Sequence, residues 1–119
     1  MNKKTINNLI FDIMSSFEVD GKIIPVDFLK YDGAETTYIV FSEISNSPAY
    51  SSDNECRYSV KQFDFDIYTK GNYLNILKAV KQRLKDNGFT WLEDSPDMYE
   101  TDTGYYHKTT TFEIENYIG

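Results

Sequence analysis

The chain has 119 residues, 19 acidic against 12 Lys and Arg, a net charge of −7, and 40% hydrophobic and 16% aromatic content. That length and apolar share describe one domain with a single core and exclude a disordered chain. The acid excess argues against nucleic acid as the main ligand, because phosphate binding needs clustered Lys and Arg.

Thr5 to Phe17 places Ile6, Leu9, Ile10, Ile13, Met14 and Phe17 at the spacing of an amphipathic helix, ended by Asp20-Gly21. Ile23 to Tyr31 contains Pro25 and reads as an edge strand or extended segment, with Asp32-Gly33 as a hairpin turn signal. Thr36 to Ile44, "TTYIVFSEI", is β-branched and aromatic on both faces, which predicts a strand covered on both sides. Ser45 to Glu55, "SNSPAYSSDNE", is polar and rich in Ser and Asn, and is expected to be a contact loop.

Arg57 to Tyr68 alternates. Phe63, Phe65 and Ile67 face one way, and Gln62, Asp64, Asp66 and Tyr68 the other. Thr69-Lys70-Gly71 turns the chain, and Asn72 caps a helix with the stripe Tyr73, Leu74, Ile76, Leu77, Val80 and Leu84. The basic run Lys78 to Lys85 is then that helix's solvated face. Gly88 stands where a left-handed helix end is expected, with Phe89 packing back on the last turn. Thr90 to Glu93 is a short strand, Ser95 to Gly104 an acidic turn region, and Tyr105 to Glu115 the last strand. Without regular βαβ alternation, this order predicts an α+β fold: a mostly antiparallel sheet with two α-helices packed on one face, in a single domain spanning 1–119.

Asp64 and Asp66 project on one face of their strand and could hold Mg²⁺, but such sites draw a third acid and a nearby Lys. Lys61 has the opposite parity. The plainer reading is a solvated strand face or a subunit contact. His107, the only histidine, would need a nucleophile and an orienting carboxylate, for which Asp102 is near in sequence. Gly71 and Gly88 lack phosphate-loop spacing. No catalytic residue, cofactor or metal is expected. Cys56 is the only thiol, so no internal disulfide forms. No apolar run reaches the ~18 residues of a membrane span, and Met1-Asn-Lys-Lys lacks the apolar core of a signal peptide. Folding in a cytoplasm without membrane contact is the expectation. The many tyrosines suit either a tightly packed small core or a subunit interface.

The segments "YIVFSEISNSPAYSSDNE" (Tyr38 to Glu55), "FDFDIYTKGNYLNILKAVKQRLKDNGF" (Phe63 to Phe89) and "MYETDTGYYHKTTTFEI" (Met98 to Ile114) together resemble the small tail-completion proteins of long-tailed bacteriophages of Gram-positive hosts. These are also called tail terminators or head–tail joining proteins. The resemblance runs from Val26 to Ile114 and rests on ordinary strand and helix residues, with no active-site signature. It implies a virion protein, assembled in the host cytoplasm, that forms a hexameric ring. The ring would cap the tail tube, meet the head connector and let DNA pass through its lumen. Tyr38, Val40, Pro48, Tyr50, Asp53, Asp64 and Asp66 are then the expected subunit or partner contacts. Acidic walls would repel passing DNA. Two alternatives from other classes are an acidic module that inhibits a host protein and a small Mg²⁺-dependent nuclease.

Overall fold

A computed structural model describes residues 5–50 and 56–117. The fold is α+β, with α1 (Ile6–Ile13), β1 (Glu18–Val19), β2 (Lys22–Ile23), β3 (Val26–Phe28), β4 (Tyr38–Tyr50) and β5 (Cys56–Thr69) in its first half. Then follow α2 (Leu74–Asp86), β6 (Thr90–Asp94), β7 (Met98–Glu100) and β8 (Tyr105–Tyr117). The main sheet runs β3-β4-β5-β8-β6, with β7 also on β8. All its pairings are antiparallel except β3 with β4.

The alternation of β5 decides which side of the sheet is covered. Phe63, Phe65 and Ile67 are fully buried, and their register partners Ile39, Phe41 and Phe112 lie on the same side and are equally buried. Both helices pack there. α1 contributes Ile10 and Ile13, and α2 contributes Ile76, Val80 and Leu84. Phe11 meets the Phe41 ring edge-on at 5.2 Å, and Phe65 meets Phe89 and Phe112 the same way. Edge-to-face pairs of this kind are worth about 0.5–1.5 kcal/mol beyond area burial.

α1 opens with the Thr5 hydroxyl accepting from the Asn8 N–H. Its end comes at Ile13, earlier than the periodicity predicted, yet Met14 and Phe17 still reach the core. Asp20 and Gly21 have φ of 52° and 82° and form a two-residue hairpin turn between β1 and β2. Their signal is a strand reversal, not merely a helix stop. At α2 the Asn72 side chain accepts from the Leu74 N–H, and Gly88 at φ 91° lets the Phe89 N–H return to the Leu84 carbonyl. That close holds Phe89 in the core.

Three expectations are corrected. Asp32-Gly33 does not join a hairpin, because β3 runs parallel to β4. The intervening turn begins at Leu29, at φ 67°, where the Lys30 N–H bonds back to the Phe28 carbonyl and steers the chain off the sheet. Ser45 to Tyr50 is not loop but the second half of β4, laddered against Cys56–Gln62 beyond a bulge between Glu43 and Ser45. Asp53 lies outside the described residues. Ser95 to Gly104 includes a strand, β7, besides its turns. The extended halves of β4 and β5, joined by the end of β8, form an arm and make the molecule 52 Å long against 24 Å in its thinnest dimension.

Candidate functional site

The side of the sheet away from the helices is the candidate site. Register places Tyr38, Val40 and Ser42 of β4, Asp64, Asp66 and Tyr68 of β5, and His107, Thr109 and Thr111 of β8 on it together. Within "TTYIVFSEI", Ile39 and Phe41 face the helices, and Tyr38 and Val40 face away.

Across one end of this face runs a row of rings. Tyr31 stacks on Tyr38 at 4.5 Å, Tyr38 on Tyr68 at 5.1 Å, and Tyr68 on His107 at 4.2 Å, with Tyr105 edge-on to Tyr38. The last three stand directly opposite one another in register, the geometry that makes cross-strand aromatic pairs stabilising. A Cβ at Gly33 would displace the Tyr31 ring, whose hydroxyl accepts from the Glu35 N–H. Burial, aided by the neighbouring Tyr105 and Glu100 for Tyr38 and by Asp66 for Tyr68, raises both phenols above their ordinary pKa. Both stay neutral donors through the physiological range.

Beside the rings lies a row of carboxylates held by hydroxyls. Asp66 accepts from Thr109 Oγ1 at 2.5 Å and sits 3.0 Å from His107 Nε2, and Asp64 accepts from Thr111 Oγ1 at 2.6 Å. Asp66 is thus the carboxylate partner of His107, 41 residues away, and Asp102 is not. Strand register alone creates that pair, and no local sequence signal carries it. Thr109 Oγ1 lies 3.4 Å from the same Nε2 that meets Asp66. A nucleophile relay needs the acid and the hydroxyl on opposite ring nitrogens, so these three groups do not form one. Among the described residues, no three His, Cys, Asp or Glu side chains converge to hold a metal ion. Lys61, on the helix side, pairs with Glu43 at 2.6 Å and not with either aspartate.

Charge differs between the two sides. The open face carries Asp27, Asp64, Asp66, Glu93, Glu100, Glu113 and Glu115 by register, and no Lys or Arg among its described strand positions. The helix side mixes both signs, with Lys61 against Glu43 there, and Lys70 lies over the Tyr105 ring of the open side. Lys81 reaches Asp94 at 2.5 Å, Arg83 donates to the carbonyls of Ile13 and Ser15, and Lys78 and Lys85 are exposed on α2. Near the β8 start, Lys108 pairs with Asp97 at 2.9 Å and Tyr73 donates to the same carboxylate. The hydrogen bonds donated by Tyr73 and Lys108 lower the Asp97 pKa, and the one Lys108 donates to Asp97 raises the Lys108 pKa.

Of the remaining sequence-predicted contacts, Pro48 sits exposed on the arm opposite Ser59, and Tyr50 closes β4 opposite Cys56. A cleft of about 650 Å³ lies at the other end of the sheet, between the β1–β2 hairpin and Thr69–Asn72. Its lining mixes Asp20 and Glu35 with Lys22 and Lys70. Among the described residues, no helix is long and apolar enough to cross a membrane. No family model matches the chain, and no curated protein matches it significantly.

Proposed function

We propose that the chain is a structural virion protein of the tail-completion class, a subunit of a ring that caps the phage tail tube and joins it to the head connector. The resemblance over Val26 to Ile114 suggests the class. The observation that carries the reading is the acid excess of one sheet face: free of helices, it holds the carboxylate rows and no Lys or Arg among its described strand positions. Turned toward the axis of a ring, that face makes a channel wall that repels phosphate and lets DNA slide without being gripped. Asp64 and Asp66 are then lumen residues whose Thr partners fix them in place. The hexameric state, the tail-tube and connector partners and the virion location belong to this proposal.

Mass spectrometry and immunogold labelling of purified particles test it. The chain is expected in the virion, labelled at the neck between head and tail. Its absence from particles would contradict the reading. The same acidic face also suits a monomeric module that binds a basic surface of a host protein. That second reading predicts a chain found in infected cells bound to a host protein and missing from virions.

A further inference from the structure

If the open sheet face lines a channel and the helices lie outside, neither face is available for contacts around the ring. Neighbours must meet through the sheet's edges. Among the described residues, no strand pairs with the outer side of β4 beyond Phe41, nor with the outer side of β8 beyond Glu113. These two stretches belong to the arm; among the described residues the outer sides of the terminal strands β3 and β6 are open as well.

The ladders show which backbone groups point outward. The Ile39 N–H donates to Pro25 and the Phe41 carbonyl accepts from Leu29, so odd-numbered residues of β4 face out before the bulge. The bulge shifts this to Asn46 and Pro48. On β8 the Thr109 carbonyl accepts from Ser95, and by the same alternation Glu115 and Tyr117 face out. Pro48 therefore spends its missing N–H on the outer side, where an edge proline limits indiscriminate pairing. Beside the β8 edge lies a groove of about 370 Å³, walled by Gly88, Thr90, Ile114, Glu115 and Tyr117. It lies past the start of β6, beside the unpaired end of β8.

We infer that the occupant is a second copy of this chain: the β4 edge at Ser45–Tyr50 of one subunit adds to the β8 edge at Ile114–Tyr117 of the next. Both β4 and β8 run antiparallel to β5, so they are parallel to each other. Rotation about a ring axis preserves a strand's direction along that axis, so arm strands that run along it meet as a parallel ladder. Charge selects this pairing over its alternative. Two β8 edges meeting each other would bring Glu115 against its own copy, whereas β4 brings uncharged Ser45, Asn46 and Ser47 to it. A contact between unlike edges is head-to-tail and closes into a ring if the rotation fits.

The inference rests on the ring reading above, but its test is made on the purified chain. Two populations are prepared on a Cys56→Ser background, one with Asn46→Cys and one with Asn116→Cys, and treated with a short bis-maleimide at high protein concentration. A covalent dimer containing one of each is expected in the mixture and not in either population alone. Dimers formed as readily within one population, or none in a mixture that sedimentation shows to be associated, would overturn it. So would a chain that sediments as a single copy and gives no dimer. As a second readout on the unsubstituted chain, the amides of Asn46, Glu115 and Tyr117 should become protected from exchange as concentration rises. Failure here with the chain still found at the virion neck would sink the edge contact and leave the functional reading standing.

Discussion

Asp94 gathers three donors, Lys81, the Trp91 indole at 3.0 Å and the buried Thr110 hydroxyl at 2.8 Å. Burial works against its charge, yet these hydrogen bonds, led by that of Lys81, bring its pKa below the ordinary value. A carboxylate whose folded pKa is lowered contributes stability that is present above its unfolded pKa, about 3.9, and lost as pH falls through the folded one. Asp94→Ala should therefore cost about 1–3 kcal/mol near neutral pH, since it strands the Thr110 hydroxyl in the core. Urea melts at a series of pH values should show the gap between wild type and Asp94→Ala narrowing below pH ~4; a gap that widens there would contradict the assignment. At Asp64 the expectation concerns chemistry. With its carboxylate engaged by Thr111 and, among the described residues, no third acid assembled beside it, the purified chain should cleave no DNA with or without Mg²⁺. Cleavage abolished by Asp64→Ala would overturn the structural reading.

α2 and the arm are held in opposite ways. α2 docks through Ile76, Val80 and Leu84, so Leu84→Ala should cost about 2–5 kcal/mol in a chemical denaturation experiment. The arm has exposed residues on both sides and is held by its ladder. Amide exchange in the dilute chain should be fast at the outward Asn46, Glu115 and Tyr117 and slower at Ile114 and Asn116, which face β5. Uniform protection along the β8 end would contradict the open edge. These elements also show what sequence can reveal. The face of β5 was legible because Phe63, Phe65 and Ile67 repeat every second residue and all enter one core. α2 was legible because its stripe and its closing Gly88 agree. The arm was not, because "SNSPAY" has no apolar period and takes its strand from Cys56–Gln62 opposite. Nor was the parallel β3–β4 pair, since a turn signal reports a reversal and not its partner. The carboxylate face was half legible: parity put Asp64 with Asp66, but their Thr109, Thr111 and His107 neighbours depend on register across more than 40 residues.

At the scale of the whole molecule, three features combine into one account. Helices lie on one side of the sheet, the rows of carboxylates and stacked rings on the other, and open strand edges flank the arm. A single copy leaves the second side of its sheet without helices and its arm edges unpaired, whereas a ring uses both, one as channel wall and the other as joint. On the tail-completion reading, deletion of the gene from a phage encoding it tests this account most directly, with particles from the lysate examined by electron microscopy. Filled heads and separate tails that fail to join, some of them overlong, are the predicted result, restored by the gene supplied in trans. Normal infectious virions from the deletion strain would contradict it.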